Sequence, residues 1–219
     1  VATSIDAMVA MAAECDIIEV GVPYSDPGMD GPVIATATEA ALHGGVRVRD
    51  TLRAGEAISA AGGNAVVRSY WKPVLHYGMI TPDLIPDEAE AWLAAADAHD
   101  LDRIFLVAPS STPERLARTV KASRGFVYAA STMGVTGARD AVSQAAPELV
   151  RRVKEVSAIP VGVGLGVRSR EQAAEIAHFA DGVIVGSALV SALTDDGVAA
   201  VRTLTEELAV GVREKVPAT

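Results

Sequence analysis

Ile159-Pro-Val-Gly-Val-Gly-Leu-Gly166 is an apolar run of strand length, and a helical pattern over Ser169–Ala180 separates it from a second such run, Gly182-Val-Ile-Val-Gly-Ser-Ala-Leu189. Runs this rich in aliphatic residues are typical of parallel strands that helices cover on both faces. The three pieces therefore predict one strand–helix–strand module near the end of the chain.

The same module repeats toward the start of the sequence. It predicts seven strands, at Cys15–Val22, Ala65–Trp71, Met79–Leu84, Arg103–Pro109, Gly125–Ala130, Ile159–Gly166 and Gly182–Leu189. Between and around them the 3.6-residue period predicts helices at Ser4–Ala13, Pro32–His43, Val48–Ala61, Asp87–His99, Thr112–Ser123, Ala145–Ser157, Ser169–Ala180 and Asp196–Glu214. No linker or shift of composition divides residues 1–219, so we expect a single domain. Its architecture is either an eight-stranded (β/α)8 barrel or an open, doubly wound sheet.

Two gaps in the repeat bear on that choice. No strand precedes the first helix, although a barrel needs an eighth strand there. Lys72–Gly78 offers only seven residues, with Gly and Pro among them, between two strands that must run parallel, and such a crossover usually takes a dozen or more. We therefore expect a (β/α)8 barrel whose first strand, and one crossover helix near Gly78–Met79, are absent from this sequence.

Composition excludes several classes of protein. The net charge of −9 argues against nucleic acid or an anionic membrane as the main partner. Cys15 is the only cysteine, which excludes an intrachain disulfide and favours a reducing, cytoplasmic setting. No apolar run approaches the length needed to span a bilayer, and no signal peptide opens the chain, which begins at Val1. We do not expect a secreted, membrane or disordered protein.

Two carboxylates stand out near the first strand. Glu19 lies among aliphatic residues, where a carboxylate is costly unless it has a partner or a task, and burial would raise its pKa toward that of a general acid or base. Alternatively, Glu19 points outward or forms a structural salt bridge. Asp30 lies in a Pro- and Gly-rich loop before Pro32. It has the alternative interpretation of a cap for the helix that starts at that proline.

Glycine-bearing turns follow the last three strands. They are Gly134-Val-Thr-Gly137, Gly162-Val-Gly-Leu-Gly166 and Gly186-Ser187. Backbone N–H groups at such turns and at helix N-termini bind phosphate, and barrels often place a phosphate site after their last two strands. The four histidines have no metal-ligand spacing, so we expect no metal site.

The stretch Asp16-Ile-Ile-Glu-Val-Gly-Val-Pro-Tyr-Ser-Asp-Pro-Gly-Met-Asp-Gly-Pro32 closely resembles the signature of the tryptophan synthase α subunit. The resemblance continues through Ile104–Thr112, Gly125–Tyr128, Gly134–Gly137 and Asp181–Ala188 and covers nearly the whole chain. That family is a (β/α)8 barrel, a lyase of tryptophan biosynthesis that cleaves indole-3-glycerol phosphate into indole and glyceraldehyde 3-phosphate. It assembles as an α2β2 heterotetramer with a β subunit that carries pyridoxal phosphate, and the α subunit itself needs no cofactor.

The resemblance also implies roles for residues of this chain. Glu19 becomes the general acid–base group at indole C3 and the glycerol hydroxyl, and Asp30 holds the indole N–H. The remaining substrate-binding positions it implies are Tyr128, Thr136, Gly137, Leu165, Gly166, Gly186 and Ser187.

One segment departs from the family pattern. Arg68-Ser-Tyr-Trp-Lys72 stands where the family usually has an apolar residue, Met or Thr, an aromatic residue and Asn. A charged Arg68 on a barrel strand could weaken indole binding, and Lys72 could weaken contact with the β subunit. Two other functions therefore stay open. One is another phosphate-binding barrel enzyme; the other is a catalytically weak subunit that activates its β partner.

Overall fold

The computed structural model describes residues 1–25, 30–69, 79–130, 145–164 and 166–214. The helices are α1 (Ala2–Met11), α2 (Pro32–His43), α3 (Val48–Ala60), α4 (Glu90–Ala98), α5 (Pro113–Ala122), α6 (Ala145–Val156), α7 (Arg170–Ala177) and α8 (Ser187–Arg213). The strands are β1 (Ile18–Gly21), β2 (Ala65–Arg68), β3 (Met79–Ile80), β4 (Arg103–Ile104), β5 (Leu106–Val107), β6 (Val127–Ala130), β7 (Val161–Gly164) and β8 (Gly182–Ile184).

All strand pairs in the described residues are parallel, and each strand pairs with its neighbours in the sequence. The ladders run β1-β2-β3-β4 and β5-β6-β7-β8. Only Phe105 separates β4 from β5, and its carbonyl accepts a hydrogen bond of 3.1 Å from the Tyr128 N–H, which links the two ladders. Seven strand positions result, as predicted. A strand order that never reverses is that of a barrel, whereas a doubly wound sheet requires a switch in order.

The core lies between the strands and the helices that cover them. Residues that face outward from the strands, such as Val127, Val161 and Val163, are fully buried against α5, α6 and α7. Neighbouring residues on each strand point the other way, into the barrel. This alternation decides which side chains can form a site.

Several predicted bounds are wrong in detail. Hydrogen bonds cover only the middle of most apolar runs: Ile159–Gly166, for example, yields strand only at Val161–Gly164. Asp87–His99 is a 3-10 turn at Pro86–Glu88 followed by α4, since the backbone leaves helical geometry at Ala89.

The last helical region is continuous in hydrogen bonding but not in direction. The predicted helix Asp196–Glu214 belongs to α8, which starts earlier, at Ser187, and Gly197, at φ 81°, breaks the helical geometry within α8. A positive φ of this size favours glycine, which has no Cβ to clash with the backbone. The C-terminal part of α8 packs on α1 and α7.

The connection between β2 and β3 is the shortest between paired strands of the described sheet, at residues 69–78. A crossover helix is predicted to be missing between Gly78 and Met79. Residues 70–78 are not described, so Gly78 lies outside the described part of the chain. Within the described part of the chain, every helix is too short or too polar to cross a membrane.

Candidate active site

The alternation along β1 directs Glu19 into the barrel. Ile18 and Val20 on either side of it are 4% and 2% exposed and pack outward against Ala54 and Ile58 of α3. Glu19 must then point inward, where its side chain keeps 26% of its surface exposed. The interpretation of Glu19 as an outward-facing residue is wrong.

Asp30 lies just before α2 but does not cap it. The helix starts at Pro32, and its N-cap residue is Gly31, which has no side chain to accept a hydrogen bond. The carboxylate of Asp30 is 8% exposed and instead contacts a strand of the barrel. The capping alternative is therefore wrong.

Arg68 brings the two carboxylates together. It lies on β2 at the register position opposite Gly21, and its side chain is 21% exposed. Its Nη1 donates a hydrogen bond of 2.6 Å to Asp30 Oδ1. Its Nε lies 2.5 Å from Glu19 Oε1, a close charge contact without the alignment of a hydrogen bond. One guanidinium thus joins two acids that the sequence separates by eleven positions.

The surroundings shift the pKa of each group in this cluster. Burial raises the pKa of Glu19; the Arg68 charge opposes that rise, and the Asp30 charge adds to it. Burial lowers the pKa of Arg68, but Glu19 and Asp30 together outweigh it, so the net direction is upward. Because an arginine never loses its proton in practice, the cluster carries a permanent positive charge between two acids. A glutamate with a raised pKa is suited to exchange protons near neutral pH.

Tyr128 faces the same side of the barrel from β6, between the buried Val127 and Ala129. Burial raises the pKa of its hydroxyl and the Glu19 charge raises it further, so the phenol is neutral at physiological pH. The ring lies over Gly164, where an added Cβ would overlap the hydroxyl oxygen and come within 3.0 Å of Cζ. Gly164 thus makes room for the tyrosine beside Glu19.

The candidate phosphate-binding residues lie at one edge of the barrel. Gly164 of β7 pairs with Ile184 of β8, so Gly166 and Gly186 each come two residues beyond paired positions on neighbouring strands. Gly166 has a φ of 71°, which favours glycine. Gly186 is the N-cap of α8, and Ser187 is its first residue. First-turn N–H groups of a helix have no intrahelical partner and attract anions.

One cavity of about 2150 Å³ connects these positions and extends beyond the barrel interior to residues of α1, α3 and α8. Its lining includes Glu19, Asp30, Arg68, Tyr128, Gly166, Gly186 and Ser187. The other predicted site residues, Thr136, Gly137 and Leu165, lie outside the described residues. Among the described residues, no group of three or more His, Cys, Asp or Glu side chains could hold a metal ion.

Sequence reasoning did not include Arg68 and Gly164 in the site. In sequence Arg68 stands out only as a departure from the family pattern, because no local signal pairs it with Glu19, 49 positions earlier. Gly164 was read as part of a phosphate-binding turn. No local signal shows that it faces Tyr128, because that residue comes 36 positions earlier.

The chain matches known proteins over nearly its full length. A family model described as "Tryptophan synthase alpha chain" matches residues 1–216. The tryptophan synthase alpha chain of Mycobacterium avium (strain 104) is 73% identical over all of this chain and 86% of its own length. That alignment spans 234 positions, more than the 219 residues of this chain, so the relative has residues within the matched region that this chain lacks. The difference agrees with the predicted loss of an internal segment.

Solved structures also match over most of the chain. A structure of Mycobacterium tuberculosis tryptophan synthase is 70% identical with a TM-score of 0.92, covering 97% of this chain and 88% of that one. A Pyrococcus furiosus structure, described as the tryptophan synthase a2b2 complex, is 29% identical with a TM-score of 0.85, covering 94% and 90%.

Proposed function

Because the chain belongs to the tryptophan synthase alpha chain family, we propose that Glu19 and Asp30 carry out the reaction of that family in this chain. The family's reaction is the retro-aldol cleavage of indole-3-glycerol phosphate to indole and glyceraldehyde 3-phosphate. The fold is the (β/α)8 barrel of these proteins. The observation that carries the assignment is that both carboxylates enter one cavity and meet at one guanidinium.

The chemistry requires one group that moves protons and one that stays charged. Indole C3 must gain a proton, the glycerol hydroxyl beside it must lose one, and the C–C bond between them then breaks. Glu19 suits the proton transfers because burial raises its pKa. Asp30, hydrogen bonded to Arg68, suits the ionised role of holding the indole N–H as positive charge develops on the ring.

The rest of the pocket binds and covers the substrate. Gly186 and Ser187 hold the phosphate through N–H groups at the α8 N-terminus and the serine hydroxyl, and Gly166 does so through its own N–H group after β7. Tyr128 lines the pocket beside Glu19. Thr136 and Gly137 belong to a loop that closes over the substrate, and Leu165 lies against the indole; these three roles rest on the family resemblance alone.

The assembly follows from the relatives. We propose that the chain forms one domain and pairs with a tryptophan synthase β subunit in an α2β2 complex, as in the Pyrococcus furiosus protein. The pyridoxal phosphate belongs to that β partner, and the cleavage here uses only the chain's own residues. The single cysteine, Cys15, is in keeping with a cytoplasmic enzyme.

The test is indole formation from indole-3-glycerol phosphate by Glu19→Gln, with and without added β subunit. The variant keeps a side chain of the same shape but cannot exchange the proton, so turnover should fall about 10²–10⁴-fold. Glu175→Gln, which changes an exposed glutamate of α7, is the matched control and should keep full activity. Full activity in the Glu19 variant would refute the assignment. A folded wild-type chain that produces no indole even with the β subunit would instead favour a purely activating role.

A further inference from the structure

Arg68 touches both residues that the proposed function assigns to chemistry. Its guanidinium reaches across from β2 to Glu19 on β1, and from there to Asp30 before α2. The three side chains are mostly covered by protein, with 21%, 26% and 8% of their surfaces exposed. Charge contacts in such surroundings are screened far less by solvent than those at the surface.

The contacts use the same groups that a substrate would need. A carboxylate accepts a limited number of hydrogen bonds, and one oxygen of Glu19 and one of Asp30 already face the guanidinium. Arg68 cannot release them by losing its proton, because the two acids strengthen its hold on that proton. Only movement of the side chain can free both carboxylates together.

Room for that movement exists beside the guanidinium. Gly21, the register partner of Arg68, has no side chain, and a Cβ built there would lie 3.9 Å from Nη2. That distance is an ordinary van der Waals contact, and both Arg68 and Gly21 line the cavity. The arginine side chain has enough rotatable bonds to use that space.

We propose that Arg68 competes with the substrate inside the pocket: it holds Glu19 and Asp30 together in the resting chain and must withdraw before they can engage the indole and the glycerol hydroxyl. This inference rests on the proposed function. Arg68 is then a specificity-determining residue that weakens substrate binding. The chain should consequently be a slower lyase at low substrate concentration than an otherwise identical chain with an apolar side chain at this position.

The first test is Arg68→Met, which removes the charge but keeps an unbranched side chain. Without the competing cation, the KM for indole-3-glycerol phosphate should fall at least tenfold while kcat changes by less than threefold. Arg68→Lys keeps a cation that cannot bridge two carboxylates as a guanidinium does, so its KM should lie between the other two. Arg103→Met is the matched control: this arginine of β4 pairs with Asp97 of α4, neither residue lines the cavity, and the KM of this variant should not change.

The second test needs no turnover. In ¹³C-detected NMR titrations, the Glu19 carboxyl should titrate at higher pH in Arg68→Met than in the wild type, because the nearest positive charge is gone while burial and Asp30 remain. The acidic limb of the kcat/KM profile should move the same way. The NMR shift tests whether Arg68 holds Glu19, and the fall in KM tests whether that contact competes with the substrate.

The outcomes separate this proposal from the proposed function. An unchanged or higher KM in a folded Arg68→Met protein, or a Glu19 titration at the same pH as in the wild type, overturns the competition. If neither the wild type nor Arg68→Met turns over substrate, the lyase assignment is overturned, and the competition for substrate with it. If the NMR shift is present in that case, it still establishes the three-residue cluster.

Discussion

The contact between Gly164 and Tyr128 allows a quantitative prediction. Replacing Gly164 with Ala places a Cβ that overlaps the Tyr128 hydroxyl oxygen and lies 3.0 and 3.1 Å from Cζ and Cε1. Carbon atoms prefer separations of about 3.5–4.0 Å, so the ring must move by roughly 1 Å. Overpacking of this kind costs about 2 kcal/mol, which lowers the melting temperature of a chain this long by roughly 4–8 °C.

The same displacement should reduce activity. A shift of about 1 Å in a side chain that lines an active site can cost up to about 100-fold in rate, so we expect kcat/KM for indole formation to fall roughly 10–100-fold. Gly182→Ala is the control on the neighbouring strand, since its Cβ would meet only the Gly162 Cα at 3.9 Å. It should melt within about 2 °C of the wild type.

A double-mutant cycle checks the cause. Tyr128→Phe removes the oxygen that the new Cβ overlaps but keeps the ring, so Gly164→Ala should cost about half as much in that background. The reasoning is refuted if Gly164→Ala melts like Gly182→Ala, or if its cost is the same with tyrosine and with phenylalanine at position 128.

Two further substitutions test the packing of the barrel in thermal denaturation. Gly211→Ala would drive a Cβ into the Arg170 carbonyl, backbone that cannot easily move, and should destabilise the chain by about 3 kcal/mol. Gly55→Ala, on α3, places a Cβ that meets only the Ala65 Cβ at 3.8 Å and should stabilise the chain by about 0.5–1 kcal/mol; equal effects of the two substitutions would contradict this account. Asp181→Ala leaves the buried Val161 N–H without its 2.7 Å acceptor and should cost about 1–3 kcal/mol at pH 7. Burial raises the pKa of Asp181, but the ion pair with Lys154 and the hydrogen bond from the Val161 N–H outweigh it, so the net direction is downward. The stability difference between Asp181→Ala and wild type should therefore persist above pH 4 and vanish as the pH falls below it. A stability difference that stays constant with pH would show another cause.

Local signals predicted those elements whose ends are chemically marked. The bounds of α2 at Pro32–His43 were correct, since proline fits a first helical turn and Gly44 follows the last residue. Thr112, the first residue of the predicted helix Thr112–Ser123, is the N-cap of α5, because its side chain accepts a hydrogen bond from the Arg115 N–H. Strand ends carry no comparable mark: apolar residues such as Cys15 and Ile17 belong to the same run as β1 but lie outside its hydrogen-bonded ladder.

The site was predictable only as far as single residues reveal their surroundings. An isolated glutamate among aliphatic residues signalled the inward position of Glu19. Its partner could not be assigned, because Arg68 comes 49 residues later and reaches Glu19 only once β1 and β2 pair in register. The role of Asp30 was open for the same reason. From the sequence it could cap the nearby helix or pair with a residue far along the chain, and the folded chain shows that it pairs with Arg68.

The packing of α8 against α1 has a consequence for how the chain folds. These two helices come from opposite ends of the described residues, and the ion pair between Arg213 and Glu14, 199 residues apart, adds to their contact. Closing a loop of that length costs roughly 1.3 kcal/mol more in chain entropy than pairing Ile18 with Ala65 on neighbouring strands. The contact between α1 and α8 should therefore form after the strand ladders, and the amide hydrogens of these two helices should exchange before those of the strands.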